Sequence, residues 1–157
     1  MSGMAGVSGR AGVSGMAGTT GASGVSGGSG EKNLRKLLRT MSPHLHEGEY
    51  VFALAPDGKV PPGTSPVVMV RETEGLTVVL PRAEADRENL AYDYVAAWIT
   101  LRVHSALDAV GLTAAFATAL ASAGLSCNVV AGVHHDHLFV PYDEASRALT
   151  VLTELAS

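Results

Sequence analysis

Apolar positions along this chain repeat with two periods, one helical and one extended, and the switches between them mark the elements. Leu34, Leu37, Leu38 and Met41 share one helical face, with Lys32, Arg35, Lys36 and Arg39 on the other. That spacing predicts a short amphipathic helix ending before Pro43, its basic face turned to solvent. Tyr50, Phe52 and Leu54 alternate with Val51 and Ala53, the signature of a strand. Asp57-Gly58 opens a turn-rich loop containing Pro61, Pro62 and Gly63. Residues 67–71 and 76–80 are β-branched runs joined by a Glu- and Gly-containing turn, which reads as an antiparallel hairpin. Residues 82–94 are polar and helix-compatible, a connector.

The second half carries a clearer pattern. Ile99, Leu101 and Val103 alternate with Trp98, Thr100, Arg102 and His104, giving a strand with one core face and one mixed face. A short turn leads into a helix with a stripe at Leu112, Phe116, Leu120 and Ala123, and Gly124 supplies a left-handed stop. Residues 125–133 and 138–140 read as strands around a tight turn at 134–136, and Pro141 ends the second. Asp143 is the expected cap of a last helix with its stripe at Ala145, Ala148, Leu149, Leu152 and Leu155. The order β-α-β-β-α is five of the six elements of a ferredoxin-like split βαβ unit, an α+β class with helices on one face of an antiparallel sheet. The missing sixth element is an edge strand. Residues 49–54 are expected to complete the sheet in cis; two separate, unpaired sheets would refute this.

Composition removes several classes. Eleven of the 18 Gly fall in residues 1–30, ten of them at strict intervals of three, yet this stretch contains no Pro. Without Pro a collagen-like helix is not held, and with little to bury the segment is expected to be a disordered tail. It has neither the apolar run of a signal peptide nor the Arg-rich pattern of a transit peptide. The remaining residues suit an N-terminal half over 31–94 and a C-terminal domain over 95–157. A net charge of -4 argues against a nucleic-acid partner. The single Cys excludes an intramolecular disulfide, and Cys127 lies in an apolar strand where an inert core thiol is expected. The charge-free run 109–135 is broken by Thr113, Thr118, Ser122, Gly124, Ser126 and Asn128, so no membrane span is expected and a cytoplasmic location is.

Several motifs stand in a familiar order. Trp98-Ile-Thr-Leu-Arg-Val-His-Ser105, Val110-Gly-Leu-Thr113, Cys127-Asn-Val-Val-Ala-Gly132 and His135-Asp-His-Leu-Phe-Val-Pro141 resemble the small bacterial ACT-domain proteins. Tyr50-Val-Phe52 and Glu74-Gly-Leu-Thr-Val-Val79 fit the N-terminal half of the same family, so the resemblance runs from about Leu34 to Leu155. It implies two tandem ACT-like modules and no established reaction. A distant relation to the ACT modules of aspartate kinases and of the cytosolic arginine sensor implies an amino-acid ligand.

The residues themselves support one ligand site. Residues 104–112 form a strand-to-helix turn, where the first helical N–H groups and the helix dipole suit a carboxylate. Gly111 leaves room for close backbone approach, with Ser105, Val110 and Leu112 lining the turn. Asp108 could accept from an α-ammonium group, and Asn128 on the neighbouring strand could donate and accept. The resemblance implies the same turn, since ACT modules commonly bind amino acids there. The plainer alternative is that Ser105 or Asp108 caps the helix and Gly111 eases packing. His135 and His137, alternate residues beside Asp136, are weaker candidates for a metal; turn-flanking surface histidines are the commoner arrangement. No nucleophile elbow, phosphate loop or dinucleotide fingerprint occurs, so neither catalysis nor a cofactor is expected. The reading is a non-enzymatic sensor, expected as a homodimer. Its rivals are an interaction module without ligand and a metal-dependent enzyme built on the His cluster.

Overall fold

The computed structural model describes residues 27–103 and 110–157, with side chains from Asn33 onward. In chain order the elements are α1 (Gly27–Thr40), β1 (Ser42–Leu45), β2 (Tyr50–Ala55), β3 (Val68–Glu72), β4 (Gly75–Pro81), α2 (Arg82–Arg87), β5 (Val95–Arg102), α3 (Leu112–Ser122), β6 (Asn128–Ala131), β7 (Asp136–Pro141) and α4 (Ala145–Leu155). The seven strands form one antiparallel sheet in the order β3-β4-β2-β5-β7-β6, with β1 also paired to β5.

The sheet has one helical face. Register places Val51, Ala53, Val78, Leu80, Ala97, Ile99, Leu101, Leu138 and Val140 on the same side. In the C-terminal half these residues pack with Phe116 and Leu120 of α3 and Ala148 and Leu152 of α4, and Leu34, Leu37 and Leu38 of α1 close over them. In the N-terminal half the same side packs against Ala85 of α2. Period-2 strands and period-3.6 helices thus deliver their apolar positions to one shared layer, the α+β ferredoxin-like arrangement, in two modules. The opposite face buries Tyr50, Val79, Ala96 and Phe139 under Phe52, Tyr94, Trp98 and Val130.

The edge of β5 is where the sequence reading needs correction. Residues 49–54 were the expected sixth strand, but most of that edge is taken by β1, with Ser42 opposite Arg102 and Leu45 opposite Ile99. The strand β2 meets β5 only at Tyr50–Ala96 and Val51–Val95, then turns its length to β4. The halves therefore share one sheet, completed in cis by the segment just before the expected one. Two smaller differences have local causes. The helix α4 has no side-chain cap: a 3-10 turn at Tyr142–Glu144 leads into it, so Asp143 does not serve as the expected N-cap. The strand β6 is shorter than the apolar run 125–133, because Leu125 N–H bonds back to Leu120 C=O at 2.9 Å as part of the α3 C-terminal turn.

Candidate functional site

At the start of α3 the backbone enters the helix through Gly111 at φ +99°, and no side chain among the described residues caps it. The first bond closed inside the helix runs from Ala115 N–H to Gly111 C=O at 2.9 Å. The amides of Leu112, Thr113 and Ala114 therefore have no partner within the helix. Val110, immediately before, is 90% exposed, whereas Leu112 is buried in the helical-face core. A Cβ on Gly111 would stand 3.2 Å from Leu34 Cδ2, so α1 lies directly over this turn. Ser105 and Asp108 lie outside the described residues.

Asn128 is not brought to this turn. Its register partner is Phe139, whose ring belongs to the helix-free face with Phe52 and Trp98. The sheet thus stands between Asn128 and the residues that line the start of α3. Beside Asn128, burial pushes the Tyr94 hydroxyl above its ordinary value, and burial pushes the Cys127 thiol up to about 11. That agrees with an inert thiol.

The helix-free face holds a polar cluster that joins His137, one of the weaker metal candidates, to residues the sequence did not single out. His46, just past β1, stacks on the Trp98 indole with centroids 3.5 Å apart and planes 9° from parallel. Its Nε2 is 2.8 Å from the Thr100 hydroxyl, which is also 3.1 Å from His137 Nδ1. The Trp98 indole N–H donates to the same His137 nitrogen at 3.2 Å. Thr100 is only 6% exposed, a buried hydroxyl fully engaged by two rings. Burial lowers the His46 pKa, helped by His44, His137 and Arg102; burial also lowers that of His137, helped by His135 and opposed by Asp136. The signal was present as the alternation of Trp98 and Thr100 along β5, but the register that sets His46 and His137 beside them is a tertiary fact. Among the described residues no three His, Cys, Asp or Glu side chains converge on a metal-sized point.

A shallow groove of about 440 Å³ lies beside Glu49, Arg82 and Asp86. Its guanidinium is already engaged, with Nη1 donating to Glu49 at 2.8 Å and Nε to the Tyr92 hydroxyl at 2.9 Å. This clasp ties α2 to the start of β2. Among the described residues no helix is long and apolar enough to cross a membrane.

Comparison with known proteins places this architecture. The ACT domain family matches residues 29–97, and a second ACT domain family matches residues 94–154. No curated protein matches the sequence. A crystal structure of a Vibrio cholerae protein of unknown function, described as a possible transport protein, is 46% identical over 82% of this chain and 99% of its own, with a TM-score of 0.74. An Agrobacterium tumefaciens protein shares the fold at 19% identity over 74% of this chain and 89% of its own, with a TM-score of 0.57. The ligand-free regulatory subunit of aspartate kinase from Thermus thermophilus does so at 11% identity over 75% of this chain and 99% of its own, with a TM-score of 0.58. With two consecutive matches that meet at the strand joining the halves, and a close relative over nearly its whole length, the chain belongs to the ACT-domain family.

Proposed function

We propose that this protein is a non-enzymatic regulatory ACT protein that binds a free amino acid at the turn opening α3. The observation that carries the reading is the helix start behind Gly111, where three backbone amides have no partner inside the helix and no described side chain caps them. A carboxylate seated there accepts those N–H bonds and gains from the helix dipole. Asp108, three residues before Gly111, is the proposed partner of the α-ammonium group, with Ser105, Val110 and Leu112 framing the turn. Asn128, on the far side of the sheet, is left out of the proposed site. ACT modules are regulatory rather than catalytic, and the aspartate kinase likeness agrees with that role without naming a ligand. The outer edges of β3 and β6 carry no further strand among the described residues, which supports pairing with a second copy.

The test is a melting-temperature screen against the standard amino acids. A ligand at a hundred times its Kd adds about 2.7 kcal/mol of stability. The expected result is an upward shift with one amino acid or a small group of related ones, abolished in Asp108→Ala. No shift with any amino acid at millimolar concentration would leave an interaction module as the better reading.

A further inference from the structure

We propose that His137, joined through the Thr100 hydroxyl to His46, is a proton-sensitive latch that holds β1 on the edge of β5 while neutral and releases it when protonated. The hydrogen-bond inventory fixes the neutral form. An indole N–H is only a donor, so the His137 Nδ1 that accepts from Trp98 Nε1 at 3.2 Å carries no proton. The Thr100 hydroxyl brings one proton and lies 3.1 Å from the same nitrogen. Directed there, it leaves its oxygen free to accept from His46 Nε2, 2.8 Å away. The consistent chain runs from His46 to Thr100 to His137, closed by Trp98. A proton added at His137 Nδ1 would face the Trp98 N–H, which can only donate, so that bond would be lost, and the buried Thr100 hydroxyl would have to turn its proton away from His137 to receive the new N–H.

What the chain secures is the attachment of β1. His46 continues that strand, its N–H donating to Trp98 C=O at 2.9 Å while its ring covers the same tryptophan. Four register pairs, Ser42–Arg102 to Leu45–Ile99, join the rest of the strand to β5, and α4 packs against it. Charged and titratable neighbours bear on the two rings from each strand packed against them: His44 from β1, Arg102 from β5, and His135 and Asp136 at the start of β7. Of these only Asp136 favours a protonated ring, and burial raises its own pKa, which weakens that help as the pH falls.

The sign follows from linkage. Both rings titrate lower in the folded protein than the ordinary 6.5, so the latch is fully held above about pH 6.5 and is lost as pH falls through the folded values. Each unit of difference makes opening about tenfold easier at low pH. Hydrogen exchange on the whole chain between pH 7.5 and 5, corrected for intrinsic rates, tests this. The expected result is a loss of protection in residues 42–46 while β4 stays protected, with a red shift in emission from Trp98, the only tryptophan. His137→Asn, which sets a carbonyl oxygen near the Nδ1 position, is expected to remove the transition. A transition that persists in that variant, unchanged β1 protection in the native chain, or loss of all protection together would overturn the latch. A histidine nitrogen spectrum at pH 7.5 gives a second reading: His137 protonated on Nδ1 would overturn it as well.

Discussion

Cys127 shows how a single side chain's setting decides its chemistry. The thiol is half-buried beside Phe139, and its pKa, pushed up to about 11 by burial, leaves almost no thiolate at neutral pH. Alkylation by iodoacetamide at pH 7.5 is therefore expected to be slower than for a free thiol by roughly a hundredfold, with full reactivity restored in urea. A rate matching that of free cysteine would mean that the segment leading into β6 opens readily. The inertness of this residue was legible in the sequence, from an apolar run without a nearby cation. The role of Thr100 was not: alternation put it on the mixed face with Trp98, but gave no sign of what lies across the sheet.

At the scale of elements, the helices and the central strands were legible because each has a period and a terminator. Phe116 and Leu120 mark the buried side of α3, and its C-terminal turn ends at Gly124 as the spacing implies. The strand β1 was missed for a physical reason. Pro43 reads as a break, yet an edge strand tolerates a residue without an N–H, and Ser42–Leu45 borrows its order from β5 rather than from its own sequence. The proposed ligand turn was legible as a strand-to-helix junction, but the placement of Asn128 depended on a register that no periodicity supplies. The junction between α1 and α3 yields a prediction of its own. Gly111→Ala forces a left-handed residue with a side chain against Leu34, so it is expected to lower stability by about 1–2 kcal/mol in urea titrations. An unchanged midpoint would mean that α1 is not seated on that turn.

For the whole molecule, the sharing of one sheet matters more than the presence of two ACT modules. The strand β5 is bound by β1 and β2 along one edge and by β7 along the other, so the C-terminal half loses the pairing along one whole edge of β5 when the N-terminal half unfolds. Urea unfolding at pH 7.5 is expected to be one cooperative transition, with Trp98 emission and far-UV circular dichroism superimposing. Two separated midpoints would show that the modules behave as independent domains.

The pairing of Ser42–Leu45 with Ile99–Arg102 also sets an order of events during synthesis. The N-terminal helix and its following segment leave the ribosome long before their partner strand exists. Until then the segment has no strand to pair with. The later half closes its sheet by recapturing a piece of chain made much earlier, and a ribosome stalled near the middle of the message would release a fragment whose first strand has nothing to hold.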